Sequence, residues 1–365
     1  MLTTKKKHYL ILDGLRGVAA LLVLTFHIFE LYLSPSIQIV SHGYLAVDFF
    51  FLLSGFVIAH SYDDRWSTMS LKDFCKRRLI RLHPMIFVGT TIGLALYFFQ
   101  VSPLFPSLGE AGASKLAVVF ILGCLLIPVP PQLDVRGWNE MYPLNGAAWT
   151  LFFEYIANIL YALFIRKWSN RVLTIAVILT GALLARFAIT NGDVIGGWSL
   201  TATQVQVGLT RLLYPFLAGM LLRRLFKPLS LKKHAFLICS LLLIALLSVP
   251  KLGFMTTKWI NGGYEALTIL FLFPLIIWIG ASGEMKEGIG KRCCKFLGDI
   301  SYPLYITHYP FVCIFMAYFR KNELTITQSL PYAALTFVVC ITVAYLSLKL
   351  YDTPVRKILN RHFNS

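Results

Sequence analysis

Apolar stretches of about 20 residues, the length that crosses the hydrocarbon core of a bilayer as an α-helix, recur along the whole of this chain. Hydrophobic residues make up 57% of the 365 residues and charged residues only 14%, whereas soluble domains average about 25% charged residues. The pattern therefore predicts an all-α fold, a polytopic transmembrane helical bundle rather than a soluble domain on an anchor.

The predicted spans number about ten by length and apolarity. They cover residues 9–33, 43–62, 84–101, 146–165, 172–189, 206–226, 235–249, 263–280, 301–319 and 331–350. A further apolar stretch, residues 116–129, is short and ends in Pro128, Pro130 and Pro131.

The distribution of basic residues decides whether this further stretch crosses the membrane. Basic clusters occur at residues 5–7, 72–81, 166–171, 223–233, 286–295 and 356–361. Lys and Arg accumulate in cytoplasmic loops, and all these clusters share one side only if residues 116–129 do not cross. We therefore predict one re-entrant segment, with both termini cytoplasmic.

The net charge of +17 has the same explanation, so a nucleic-acid partner is not expected. No soluble region is long enough to fold separately, and we predict a single membrane-embedded domain over residues 1–365 without an appended soluble domain. The basic N-terminus resembles a signal peptide, but Asp13 and Arg16 and the lack of a cleavage site favour a retained first helix. The seven cysteines form neither a disulfide framework nor a zinc motif, so no metal is predicted.

Four ionisable residues follow one face of the first span. Arg16 and His27 are eleven positions apart, about three helical turns or ~16 Å, and Asp13 and Glu30 lie within ~60° of that face. The stripe is either a structural polar seam or a functional site. His27 would be a general base or accept an acyl group covalently. Glu30 would orient the imidazole or simply lie in water at the outer boundary.

A basic cluster precedes the third span and contains Arg78 and Arg81. Such a cluster usually anchors the protein through contacts with membrane lipids. The i, i+3 spacing also places two guanidinium groups side by side on a helix, where they can bind the phosphates of a cytosolic ligand such as acyl-CoA.

Other candidate residues lie in later spans. Trp149 and Glu154 together would hold a sugar or position a catalytic histidine. In the structural alternative, Trp149 belongs to an interfacial aromatic belt and the Glu154 carboxylate pairs two helices. Tyr305 and His308 share a helix face, on the side where an acceptor of the acyl group would bind. His308 is either a structural histidine with its hydrogen bonds made inside the bundle or a functional residue. Arg211 is a weaker candidate for a further cofactor contact.

Gly55 lies among large aromatic residues of the second span. A small residue in such a position allows two helices to approach closely. We read it as a packing signal.

Five segments occur in order along the chain: LDGLRGVAALLVLTFH, GYLAVDFFFLLSGFVIAHSY, RRLIRLHP, WTLFFE and GDISYPLYITHYP. Together they resemble the acyltransferase family 3 of membrane proteins, which includes bacterial O-antigen and exopolysaccharide O-acetyltransferases. The resemblance implies a location in a bacterial inner membrane. Each segment alone is a weak indication of the family, whereas all five in order over residues 12–310 are a specific one.

The resemblance implies roles for several of these residues. The arginine–histidine motif of the family matches Arg16 and His27, with the histidine regarded as catalytic. The paired arginines match Arg78 and Arg81, which would engage acyl-CoA from the cytoplasm.

Further parts of the resemblance concern the acceptor side. Trp149 and Glu154 match a motif near the acceptor, although Thr150 replaces the usual serine. His83 is also unusual before the proline of the arginine motif. Only local details of cofactor contact depend on it.

The resulting hypothesis is transfer of an acyl group, acetyl from acetyl-CoA, to a hydroxyl of a carbohydrate such as a surface polysaccharide or its lipid-linked precursor. The rival hypothesis is a transporter or flippase for a lipid-linked sugar or a small metabolite, because about ten spans with buried ions fit it equally well. A third alternative is an acyltransferase with a lipid acceptor.

Overall fold

The computed structural model describes residues 7–30, 38–105, 107–229, 234–253 and 255–364. Residues 5 and 6 and 230–233 of the predicted basic clusters, and 31–33 of the first predicted span, lie outside them. Within these ranges the chain is helical and contains no strand, which confirms the predicted fold class.

Fourteen α-helices follow one another along the described chain. They are α1 (Leu10–Phe29), α2 (Ala46–Tyr62), α3 (Leu71–Ala95), α4 (Ala113–Cys124), α5 (Trp149–Leu163), α6 (Asn170–Asn191), α7 (Ala202–Arg224), α8 (Ala235–Leu247), α9 (Lys258–Leu267), α10 (Phe273–Ser282), α11 (Ile289–Thr307), α12 (Tyr309–Lys321), α13 (Ile326–Ser347) and α14 (Thr353–Asn364). Short π-helical turns join α9 to α10 and α13 to α14.

Seven helices of the described chain are long and apolar enough to cross a membrane. Three predicted spans differ from them: the third lies on α3, which carries the basic cluster; the seventh lies on α8, which has 13 residues; and the ninth is divided at His308 between α11 and α12. The predicted count of about ten is therefore unconfirmed. The segment predicted not to cross forms α4, whose 12 residues extend only about 18 Å against a ~30 Å hydrocarbon core.

The third helix begins well before the predicted boundary at Pro84. Ser70 caps it and forms a capping box with Asp73, so the basic cluster is part of the helix, and Pro84 lies in its interior. Arg78 is consequently carried into the bundle, where it is only 4% exposed.

Two close helix contacts build the core. A Cβ on Gly17 of α1 would lie 2.4 Å from the carbonyl oxygen of Leu297 in α11, and a Cβ on Gly55 of α2 would lie 2.0 Å from that of Phe216 in α7. Only glycine fits at such distances, so the packing signal read from Gly55 is confirmed.

Ion pairs and hydrogen bonds join the helix ends at what we call the basic end of the bundle. His60 at the end of α2 donates from Nε2 to Lys7 O (2.8 Å) and accepts from Arg223 Nε of α7 (3.0 Å). Arg224 Nε donates to Asp63 Oδ2 (2.8 Å). The start of α1 and the ends of α2 and α7 therefore lie together.

A buried polar cluster joins the loops at the opposite end. Glu265 of α9 accepts hydrogen bonds from the Tyr44 hydroxyl, from Asn261 Nδ2 (2.7 Å) and from Val194 N (2.8 Å). His42 contacts Val249 O through Nδ1 (2.7 Å). Because these residues come from four separate segments, the cluster fixes how the loops sit over the bundle.

Candidate active site

A cavity of about 630 Å³ extends from the basic end into the bundle, within the range of about 300–1,000 Å³ usual for ligand pockets. Along α11 its lining runs from Lys295 to Tyr305, about 15 Å of helix. Its lining contains more basic than acidic side chains. The basic residues are Arg16, Arg78, Arg81, Lys295, Lys349, Arg356 and Lys357, and the acidic ones are Asp13, Glu154, Asp299 and Asp352.

A buried ion pair between α3 and α5 forms part of the wall. Arg78 Nη2 donates to Glu154 Oε1 at 2.6 Å, and Ser54 Oγ of α2 donates to the same oxygen at 3.1 Å. Nε of Arg78 is buried without a partner among the described residues. The sequence assigned Arg78 to the donor and Glu154 to the acceptor, and the fold brings the two side chains into contact.

Arg16 and Arg81 line the cavity in different ways. Arg16 is held by α11, since Nε donates to Ser301 Oγ (2.8 Å) and Nη2 to Gly298 O (3.1 Å). Arg81 is exposed towards the cavity, and no hydrogen bond or ion pair joins it to another described residue. Its donors are therefore available to an anionic ligand.

The His27 imidazole lies beyond the cavity, near the end of α1. Its Nδ1 is 2.8 Å from Glu30 Oε2. Because a carboxylate can only accept, Nδ1 carries the hydrogen, and in the neutral imidazole Nε2 then presents its lone pair. His27 does not belong to the described lining of the cavity, which on α1 ends at Arg16.

Tyr305 and His308 of the α11–α12 segment fill the space between the cavity and His27. Tyr305 belongs to the cavity wall, and its hydroxyl accepts a hydrogen bond from Thr150 Oγ1 at 3.0 Å. Its ring centroid is 5.9 Å from that of His308, whose ring stacks on His27 at 5.4 Å and 30°. A continuous series of ring contacts thus connects the cavity to His27.

Trp149 and Arg211 form a separate buried group. Arg211 pairs with Asp48 (Nη2 to Oδ2, 2.7 Å) and donates to Gly196 O (3.2 Å) and Tyr44 O (2.8 Å). Its guanidinium lies 5.5 Å from the centroid of the Trp149 ring. Neither residue lines the cavity, so the cofactor contact of Arg211 and the acceptor contact of Trp149 stay predictions without support from this geometry.

The acyltransferase-domain family model matches residues 9–348. The chain belongs to the acyltransferase family 3. Among curated relatives, the O-acetyltransferase OatA of Staphylococcus aureus (strain NCTC 8325 / PS 47) is 25% identical over 361 residues, covering 95% of this chain and 57% of OatA. Protein 2 in the picA locus of Rhizobium radiobacter is 32% identical over 173 residues, covering 45% of this chain and 84% of that protein. No solved structure matches.

This family 3 member thus spans a little over half the length of OatA. The family match and the seven long apolar helices agree in identifying a multi-pass membrane protein.

The sequence did not point to every residue of the site in this acyltransferase-family chain. The basic run 356–361 was read only as a topology signal, whereas α14 brings Arg356 and Lys357 into the cavity wall. Asp48 was also missed, although an acidic residue inside an apolar span was a usable signal for a buried partner of Arg211.

No group of three or more His, Cys, Asp or Glu side chains that could hold a metal ion is found over the described ranges of this family member. The absence of a metal cofactor therefore stays an expectation from the sequence.

Proposed function

We propose that this protein transfers an acetyl group from cytosolic acetyl-CoA to a hydroxyl of a carbohydrate, such as a surface polysaccharide or its lipid-linked precursor. The observation that carries the proposal is the basic cavity, which enters the bundle from the basic end. Its inner wall contains Tyr305, whose ring contacts His308, and the His308 ring stacks on His27. Membership of an acyltransferase family and the O-acetyltransferase name of OatA support the reaction class.

The basic cavity lining would bind the donor. Coenzyme A carries several phosphate charges, and guanidinium and ammonium groups bind phosphate strongly. Arg81 and Lys357 would hold the phosphates, because both line the cavity and neither is paired with a carboxylate among the described residues, whereas Arg356 is paired with Asp352. By the positive-inside rule this end would face the cytosol, where the donor is available.

Arg78 and Arg16 would act differently from Arg81. Arg78 shares its charge with Glu154 at 2.6 Å, so Glu154 would fix the Arg78 guanidinium at the donor rather than bind the acceptor. Arg16, tied to α11, would guide the thioester arm. Arg211 is left out of the proposed donor site because Asp48 and two carbonyl groups occupy its donors.

His27 would be the catalytic base. Its Nδ1–H bond to Glu30 leaves Nε2 as the basic nitrogen, the arrangement that a general base requires. As Nε2 takes the proton of the acceptor hydroxyl, the oxygen bonds to the thioester carbonyl carbon and the C–S bond breaks. The sulfur takes up the proton that Nε2 received, so that the free thiol leaves and His27 is again neutral. In the alternative route Nε2 first accepts the acetyl group and then passes it to the hydroxyl.

A thermal unfolding experiment tests the donor. Purified protein in detergent should be stabilised by coenzyme A, because a ligand that binds only the folded state at about 100 times its Kd adds ~2.7 kcal/mol. A transporter of sugar or metabolites would show no such stabilisation. Its absence at millimolar coenzyme A would contradict the proposed donor.

Comparison of surface glycans tests the acceptor. A deletion strain should lose O-acetyl groups that the parent carries, detected by mass and carbon NMR. His27→Gln expressed in that strain should fail to restore them, whereas His234→Gln, which changes an exposed histidine outside the cavity, should restore them. An unchanged glycan in the deletion strain would favour a lipid or small-molecule acceptor.

A further inference from the structure

His308 is a buried histidine in which one ring nitrogen is hydrogen-bonded and the other has no hydrogen-bond partner among the described residues. Its side chain is 1% exposed, and Nδ1 lies 2.8 Å from Tyr305 O and 3.1 Å from Leu304 O. Carbonyl oxygens only accept, so Nδ1 carries the hydrogen. In the neutral ring Nε2 is then an unprotonated acceptor, and it is buried without a partner among the described residues.

The same assignment applies to the neighbouring His27, whose Nδ1 donates to Glu30. Two imidazoles, each with a basic Nε2, thus stack with ring centroids 5.4 Å apart and an angle of 30° between them. Tyr309 lies with its ring edge-on to both, at 5.3 Å and 6.2 Å. An unpaired buried acceptor is destabilising, so the bare Nε2 of His308 calls for an explanation beyond packing.

His308 also lies on the side of His27 that faces the cavity. The lining along α11 ends at Tyr305, and His308 follows three residues later, about 4.5 Å further along the helix axis. Among the described rings, Tyr305 is the one in contact with both the cavity and His308. For a thioester at the inner end of the cavity to reach Nε2 of His308, the Tyr305 ring would have to move aside.

We propose that His308 is a proton relay between His27 and the leaving group of the donor, a role that rests on the proposed function. His27 Nε2 takes the proton of the acceptor hydroxyl as the new C–O bond forms. The proton passes to Nε2 of His308, and from there to the sulfur as the C–S bond breaks. The products are the ester and the free thiol, and both histidines return to their neutral state.

Two donors with different leaving groups test the relay. With methyl β-D-glucoside as the acceptor, His308→Gln should lower the rate from acetyl-CoA by about 10²-fold or more, the usual contribution of a positioned general acid or base. With p-nitrophenyl acetate the loss should be below about threefold, because nitrophenolate departs as a stable anion and needs no proton. An equal loss with both donors, or no loss with acetyl-CoA, would overturn the relay.

Two further variants serve as controls for this comparison. His234→Gln, which changes an exposed histidine outside the cavity, should leave both rates unchanged. His27→Gln should lower both rates, because the acceptor hydroxyl needs its base with either donor. If His27→Gln keeps full activity while His308→Gln loses it, the role of His27 as the base is contradicted. Proton donation from His308 to the leaving sulfur would still hold in that case. Failure of the parent enzyme with both donors overturns both proposals.

Rescue by a small molecule covers the case in which glutamine disturbs the fold. His308→Ala leaves a hole of imidazole size next to His27. Added imidazole should restore part of the rate from acetyl-CoA, whereas pyrazole, which has the same shape but is a much weaker base, should not. Equal rescue by both compounds would indicate that His308 only fills space, and would overturn the relay.

Discussion

The contact between Arg78 and Glu154 shows how individual residues set the character of the cavity. The side chains of Arg78 and Glu154 are 5% and 19% exposed and lie 2.6 Å apart. Removing one partner of such a pair leaves a charge without compensation in a low-dielectric environment, which is more destabilising than removing both. At the residue scale, the site therefore depends on charges that compensate one another before any ligand binds.

A double-mutant cycle tests this pair. Arg78→Ala and Glu154→Ala should each lower the free energy of unfolding by about 3 kcal/mol, the low end for buried pairs because Glu154 is partly exposed. The double variant should lose clearly less than the sum. Thermal unfolding in detergent measures all three. The same cycle on the exposed Lys291–Glu287 pair is the control and should show little coupling; additive losses at Arg78 and Glu154 would contradict the structural pairing.

At the scale of elements, helix contacts through glycine decide which faces meet. Gly55 of α2 and Gly219 of α7 each lie against the backbone of the other helix, and a Cβ on either would come within 2.0 Å of a carbonyl oxygen. Since α2 contributes Ser54 and several apolar side chains to the cavity wall, the same contact also holds one side of the site in place.

Alanine substitution at this contact should separate α2 from α7. Gly55→Ala is expected to destabilise the fold by about 3 kcal/mol, the upper end of the usual range for overpacking. It should also lower the amount of folded protein in membranes. Gly263→Ala in α9, where a Cβ meets nothing within 4 Å, should be neutral or slightly stabilising. Similar melting temperatures for the two variants would argue against a close α2–α7 contact.

Helix α14 supplies a second prediction at this scale. Lys357 lines the cavity, whereas Arg361 of the same helix does not. Lys357→Ala should weaken coenzyme A binding by about threefold to tenfold, because it removes one partly screened charge from the phosphates. Arg361→Ala should leave it unchanged. Titration of the thermal stabilisation against coenzyme A measures both, and equal affinities would exclude α14 from the donor site.

The whole molecule has two chemically different ends. Lysine, arginine and paired carboxylates gather at the basic end, while the buried Tyr44–Glu265 cluster closes the loops at the other. Charge asymmetry of this kind is typical of a protein with a fixed orientation in its membrane. In the proposed reaction the orientation matters, because donor and acceptor would approach from opposite sides.

Thiol labelling tests the orientation. Cys75 and Cys293 are exposed and lie near the basic end, so a membrane-impermeant maleimide should label them in inverted vesicles but not from outside the inner membrane. Thr203→Cys, at an exposed position in the first turn of α7, should be labelled from outside in a background without the other two thiols. The opposite pattern would reverse the predicted topology.

Sequence reasoning was most successful where the evidence was local. Apolar length identified the helices, the order of five segments identified the family, and Gly55 indicated a close packing contact that the structure confirms. It was weaker at boundaries, since α3 begins before Pro84 and the ninth predicted span is divided at His308. These boundaries depend on a capping box and on neighbouring helices, which hydropathy does not register.

The sequence by itself determined that this chain is a membrane-embedded helical bundle, because the length and polarity of each segment decide whether it can reside in a bilayer. It also determined which residues share a face of one helix, such as Arg16 and His27, because helical periodicity is a local property. Only the tertiary structure decided that Arg78 meets Glu154, that α14 lines the cavity, and that His308 stacks on His27. Helix periodicity sets the direction of a side chain about its own axis, but the neighbour it meets depends on how all the helices pack together.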